Sequence, residues 1–203
     1  MRKLNLFVVC FLIAGCSYIQ KAPLEFTGKV GGQIPIAKDL AQNTEKLTMA
    51  VWVKPEEKID ADLIAIGNHN KDSDTVSRAC LKINWDGRVT VYGRSYDEIP
   101  PEIYMSSKDA GHIIPGKWNH VAAIIHYDES RIEIFVNGKR IENEDKKFQF
   151  KNRKTPDTPS ILASLGGEED GSSQNLKGKL AHVVVRKKAL SEQEIAKLYL
   201  DKP

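Results

Sequence analysis

Leu47-Thr48-Met49-Ala50-Val51-Trp52-Val53-Lys54-Pro55 decides the fold. Leu47, Met49, Val51 and Val53 recur at every second position, so they share one face of an extended chain. This is the pattern of a half-buried β-strand. Pro55 ends it, because proline has no amide hydrogen to give to a ladder. Similar runs follow on both sides of short turns: Asp62 to Gly67, Cys80 to Trp85, Arg88 to Tyr92, Trp118 to Tyr127 and Arg131 to Val136. Lys139 to Ile141, Ser160 to Leu165 and Lys179 to Val185 complete the set. Many short strands at this spacing indicate an all-β sandwich or barrel.

Two turns stand out. Asp86-Gly87 and Asn137-Gly138 each separate two strand-like runs, and such pairs favour tight hairpins whose central residues take positive φ. One helix is expected near the end of the sequence. Ser191-Glu192-Gln193-Glu194 has the capping-box spacing, with Leu190 and Ile195 placed as a hydrophobic staple. Ile195, Leu198 and Tyr199 form its apolar stripe, which predicts docking as a lid at the sandwich edge. The charged and polar stretch from Asn143 to Pro159 reads as the longest loop.

Composition narrows the class. The 203 residues are 41% hydrophobic and 28% charged, which is globular rather than disordered usage. Fourteen Gly and nine Pro exclude collagen-like repeats, and three Cys exclude a disulfide-dense scaffold. The formal net charge of +3 is too mild for a dedicated nucleic-acid binder, so no nucleic-acid partner is expected.

Met1-Arg2-Lys3 is a positive head, and Leu4 to Ala14 an apolar run too short to span a bilayer. Together they read as a secretory signal peptide. Ile13-Ala14-Gly15-Cys16 resembles the bacterial lipobox, which implies cleavage before Cys16 and acylation of that cysteine. Residues 1–15 are then signal, 16–23 the lipidated Cys and a tether, and 24–203 one folded domain. The anchor implies a cell-membrane or outer-membrane lipoprotein facing periplasm or cell surface; Ser17 resembles the outer-membrane sorting default. Losing Arg2 and Lys3 takes thirty basic residues to twenty-eight against twenty-seven acids. Cys80 is left alone, expected as a small buried hydrophobe.

Several motifs in order carry a further resemblance. They are the Leu47–Pro55 strand, Pro115-Gly-Lys-Trp118-Asn-His120-Val-Ala122, and Ile132-Glu-Ile-Phe-Val-Asn137-Gly138-Lys139. Gly166-Gly167, Leu176-Lys-Gly178-Lys-Leu180 and Ala189-Leu190-Ser191-Glu-Gln-Glu194-Ile195 follow. From about Phe26 to Leu200 the chain resembles the laminin G-like, concanavalin A-like jelly-roll domains of bacterial surface proteins. The resemblance implies two antiparallel sheets packed face to face, one of them concave. It does not imply one function, since members bind sugars, proteins, polyanions or calcium, and relatives cleave glycans. Where the family has an acidic pair before the final strand, this chain has Ala181 and His182.

Aromatic faces near turns stack on sugar rings, so Trp85, Tyr92 and Tyr96 are the candidate ligand-binding residues, with Tyr104 nearby. Arg88 and Arg94 are the candidate hydrogen-bond donors to sugar hydroxyls. Trp52 and Trp118 are expected in the core. Calcium takes six to eight oxygen ligands, which marks two polar segments. One holds Asn68, Asn70, Asp72 and Asp74, the other Glu168, Glu169 and Asp170. Of these, Asp72, Asp74, Glu168 and Asp170 are the candidate metal ligands, although solvated turns have the same composition. No cofactor is required. His120 stands in Trp118-Asn119-His120-Val121, where the resembled family also keeps a His, which implies a structural group, and no histidine pair has zinc-site spacing. Lys146, Lys147, Lys151, Arg153 and Lys154 form a basic loop suited to an anionic glycan or a phospholipid headgroup, yet Glu142, Glu144 and Asp145 precede it.

No catalytic residue is assigned. There is no Gly-x-Ser-x-Gly elbow, and no strand carries paired acids with a glycosidase spacing. The reading is non-catalytic recognition of a glycan or protein at the cell envelope by a membrane-anchored lipoprotein. The structural alternative is a subunit of an envelope assembly. The enzymatic alternative is an atypical glycan hydrolase.

Overall fold

A computed structural model describes residues 17–70, 73–96, 103–144, 146–168 and 173–203. Cys16 and the segment expected to be a signal peptide lie outside the described residues. Thirteen strands are described among them: β1 Ser17–Gln20, β2 Leu24–Thr27, β3 Ile34–Pro35, β4 Lys46–Pro55, β5 Ala61–Asn70, β6 Ser73–Ile83 and β7 Val89–Gly93. Then come β8 Ile103–Ser106, β9 Asn119–His126, β10 Arg131–Val136, β11 Lys139–Ile141, β12 Leu162–Leu165 and β13 Lys177–Arg186, followed by α1 Glu192–Leu200. They form two antiparallel sheets. The first has the order β1-β13-β4-β9-β10-β11, with β2 also on β13; the second runs β3-β12-β5-β6-β7-β8. The chain is an all-β jelly-roll sandwich with one short helix, as its strand pattern predicts.

The alternation in β4 explains both of its faces. Leu47, Met49, Val51 and Val53 enter the core between the sheets, meeting Leu63, Ile64, Ile66 and Leu81 from the second sheet. Thr48, Ala50 and Trp52 point outward. Ala50 lies opposite Ala122 on β9, and these two small side chains leave room for a helix. α1 fills that space, with Ile195 packed on Ala50, Ala122, Ile124, Phe135 and Val184. The helix therefore covers the outer face of the first sheet rather than the sandwich edge. Nine residues are too few for an isolated helix, so this packing holds it. Ser191 caps it as expected: its side chain accepts from Glu194 N, and Glu194 accepts from Ser191 N. Trp52 is buried beneath the helix, its ring stacked on Tyr199 at 5.5 Å and its Nε1 donating to Leu198 O at 3.3 Å. Trp118 is only half-buried.

Three expectations change. Asn137 and Gly138 both take positive φ, 50° and 77°, as a tight hairpin turn requires. At Asp86-Gly87 only Gly87 does, at 85°. Asp86 instead accepts Arg88 N at 3.0 Å, and the turn lengthens so that Trp85 leaves the strand. The stretch expected as a tether contains β1, in which Ser17 pairs with Arg186 and Gln20 with Val183. The long polar loop also contributes to the core. Phe150 packs on Tyr127 at 4.9 Å and on Phe148 at 5.4 Å. Gly93 makes room for it, since a Cβ there would lie 2.9 Å from the Phe150 ring.

Candidate functional site

β7 alternates like β4. Val89 and Val91 enter the core, so Thr90 and Tyr92 face outward from the second sheet. On β8, Tyr104 stands directly opposite Tyr92 and Ser106 opposite Thr90. The two tyrosine rings lie 5.9 Å apart at 41°, and Thr90 and Ser106 share a 2.8 Å hydroxyl hydrogen bond. Lys82 of β6 extends this face opposite Thr90.

The loop after β11 completes the site. Ser107 bridges Asn143, and Glu144 N donates to Ser106 O at 2.9 Å, which sets Asn143 and Glu144 beside β8. Lys146 Nζ then lies 3.6 Å above the Tyr104 ring and 2.9 Å from Glu144 Oε2. Arg88 Nη1 donates to Glu144 Oε1 at 3.0 Å, and Arg88 Nε to Asp86 Oδ2 at 2.8 Å. The result is a connected strip: an aromatic pair, an ammonium, a carboxylate, a guanidinium and a second carboxylate. Burial disfavours the Lys146 ammonium, but Glu144 and the Tyr104 hydroxyl outweigh it and hold its pKa above the usual lysine value. Partial burial likewise opposes the Asp86 carboxylate, but hydrogen bonds from Arg88 bring its pKa below the usual range.

The sequence candidates do not converge. Tyr92 and Arg88 belong to the strip. Trp85 is exposed at the turn, its N donating to Asp60 Oδ1 at 3.1 Å, with Lys58 Nζ 5.5 Å from its ring. It lies beyond Arg88, itself roughly 13 Å along the strand from Tyr92 at about 3.3 Å per residue. Tyr96 sits past the other end of β7 beneath Lys151, 4.9 Å from its ring. Arg94 is buried, because the loop after β11 wraps that end: Asn152 N donates to Ser95 Oγ at 2.8 Å. It therefore cannot reach a ligand on the surface. Tyr104, named beside the candidate aromatics, and Lys146, from the basic loop, join the same strip, and Glu144 is the site residue that local sequence did not assign to a ligand.

Asp72 and Asp170 lie outside the described residues, as does the side chain of Asp74. The segment read as a polar loop is a hairpin end, with Asn68 opposite Val76 and Asn70 opposite Ser73. Glu168 accepts Gln174 Nε2 at 2.9 Å. A different group, His126, Asp128 and Glu129, brings ligand-type atoms within 4.8 Å of one another. Lys46 reaches Glu129 at 2.7 Å and Asp128 at 3.5 Å, and Arg131 reaches Glu129 at 2.8 Å. Lys46 and then Arg131 pull the Glu129 carboxyl down to about 2. These carboxylates are already matched by cations, and the group ties the β9–β10 turn as an ion-pair knot. Cys80 is buried, as expected. No helix among the described residues is long and apolar enough to cross a membrane.

Solved structures share this architecture. The CBM40 domain of the Ruminococcus gnavus IT-sialidase, bound to α2,3-sialyllactose, matches with a TM-score of 0.62 at 18% identity, over 89% of this chain and 99% of that one. Domain 4 of AbnA, a GH43 extracellular arabinanase from Geobacillus stearothermophilus in complex with arabinotriose, matches with a TM-score of 0.62 at 15% identity, over 92% and 82%. A SAP-like pentraxin from Limulus polyphemus matches with a TM-score of 0.57 at 16% identity, over 87% and 81%. No curated protein matches the chain in sequence. A family model, a laminin G type of the concanavalin A-like lectin/glucanases superfamily, matches residues 27–196, and the chain belongs to that superfamily.

Proposed function

We propose that the Tyr92–Tyr104 strip binds a glycan without cleaving it. The observation that carries this reading is the aromatic pair joined to Lys146, Glu144 and Arg88. An aromatic face takes the apolar C–H side of a sugar ring, while charged groups at its rim bond the hydroxyls. The glycan ligands named for the Ruminococcus gnavus and Geobacillus stearothermophilus structures support the same ligand class. Hydrolysis fits poorly. A retaining glycosidase needs one carboxyl with a raised pKa, whereas Arg88 bonds both Asp86 and Glu144 and holds Asp86 down. Glycan-array binding followed by titration tests the site. Tyr104→Ala is expected to weaken the best glycan about tenfold, as loss of a stacking contact does. Trp85→Ala, at the turn, leaves it unchanged. A glycan whose affinity ignores Tyr104, or an array with no binding, overturns the reading.

The protein is further proposed to be a lipoprotein carrying its acyl chains on Cys16. The charged head, the apolar run and the small residues before Cys16 support this reading. Several chains are needed for firm anchoring, since one gives only marginal binding. Mass spectrometry of the membrane-extracted protein is expected to find Cys16 N-terminal and acylated. Cys16→Ser abolishes labelled fatty-acid incorporation. Incorporation that persists in the variant overturns the assignment.

A further inference from the structure

β1 fixes where an anchor at Cys16 must leave the sandwich. Ser17 pairs with Arg186, about 5 Å away across the ladder, and Cys16 is one peptide further, about 3.8 Å. The chain thus emerges at one end of the first sheet with no slack. That end gathers basic residues from three separate segments. Arg186 ends β13, Lys187 and Lys188 follow it, and Lys46 opens β4, where Thr48 Oγ1 donates to Lys188 O at 2.6 Å. The long loop adds Lys151, Arg153 and Lys154, tied there by Thr155 N donating to Thr44 O at 3.0 Å. Lys46, Lys154, Lys187 and Lys188 line one open cleft of about 570 Å³, with Asn43, Thr44, Glu45 and Ala189.

The acids at this end only partly offset that charge. Glu129 and Asp128 hold Lys46, and Glu194 holds Lys188 at 2.9 Å. Lys154 meets Glu45 at 3.5 Å, but both side chains are about half exposed, so the pair is weak and yields to a stronger anion. Arg153, Arg186 and Lys187 have no carboxylate partner among the described residues.

We infer that this end of the sandwich rests on anionic phospholipid headgroups of the membrane that holds the anchor. The inference builds on acylation of Cys16. Acyl chains there bring the cleft lysines, Arg153 and Arg186 to the headgroup layer, where each cation is attracted to anionic lipid. The strands then stand on the bilayer, and the Tyr92–Tyr104 strip faces sideways above it.

The test places the acylated full-length mature protein in vesicles of phosphatidylcholine alone or with 30% phosphatidylglycerol, and follows amide exchange by mass spectrometry. Peptides spanning 43–48, 151–158 and 186–190 are expected to exchange roughly fivefold more slowly on the anionic vesicles, the scale of one basic contact. Peptides at 84–88 and 107–117, at the far end, are unchanged. The double variant Lys154→Glu, Lys187→Glu is expected to lose the protection while keeping its melting temperature and its Tyr104-dependent glycan binding. Equal protection on both vesicle types, protection at the far end, or a double variant that behaves like the native chain overturns the inference and leaves the lipoprotein reading standing. Absence of lipid on Cys16 overturns both.

Discussion

Gly178→Ala is expected to lower the unfolding free energy by more than about 3 kcal/mol, the range of severe backbone and packing defects. Gly178 lies in β13 between Phe26 of β2 and Pro55 of β4. Its φ is +148°, a conformation L residues rarely adopt. A Cβ there would fall 2.3 Å from Lys54 O and 2.9 Å from Pro55 Cα. Both are backbone atoms of a strand paired on both sides, so neither can retreat without opening a ladder. Gly116→Ala is the control. It also has positive φ, 74°, but nothing lies near its absent Cβ, so only the left-handed cost of about 1 kcal/mol applies. Urea unfolding at pH 7 compares the two. Equal midpoints would mean that β4 does yield at Gly178.

Acid is expected to weaken the protein in a window set by His120. This side chain is buried beside Trp52 and Tyr199, with ring centroids at 5.4 and 6.1 Å, and its Nδ1 has no hydrogen-bond partner. Burial lowers its pKa from 6.5 to about 4. The unfolded chain therefore binds a proton near pH 6.5 that the folded chain refuses until about pH 4. The stabilisation is complete above pH 6.5. It falls by about 1.4 kcal/mol per pH unit below that, for a total of about 3 kcal/mol. His126, also lowered by burial and by Arg131, acts in the same direction. Urea unfolding at half-unit steps from pH 7 to 4 should give a steep profile for the native chain and a shallower one for His120→Gln. Parallel profiles would remove His120 from the account. The carboxylates held low, such as Glu129, lose their stabilisation only at lower pH.

The fold was legible because its signals are local. The period-two pattern of β4, the Asn137-Gly138 turn and the Ser191 capping box each need only neighbouring residues. Gly178 could be located by motif, but its reason, the approach of the β4 backbone, appears only once the strands pair. Trp52 shows where a local pattern stops. Alternation puts it opposite Val51, yet its burial depends on a helix far along the chain. β1 was hidden for another reason, since four residues beside a lipobox-like stretch look the same as a tether until Arg186 is opposite Ser17. The site was least legible of all. Tyr92 meets Tyr104 through strand pairing, and Lys146 arrives from a loop whose composition reads as solvent-facing. Arg94 was misplaced by the same loop, whose wrapping over Ser95 closes that end of the face.

The position of β13 has a consequence for how the protein comes into being. This strand is the last of those described to be made, yet it lies between β4 and the two earliest of them, β1 and β2. Neither side of that junction can close until residue 186 is available. A chain delivered gradually therefore holds β1 and β2 unpaired until β13 has emerged. Closure of the first sheet then comes late, with β1, β2 and β4 all sealed by β13.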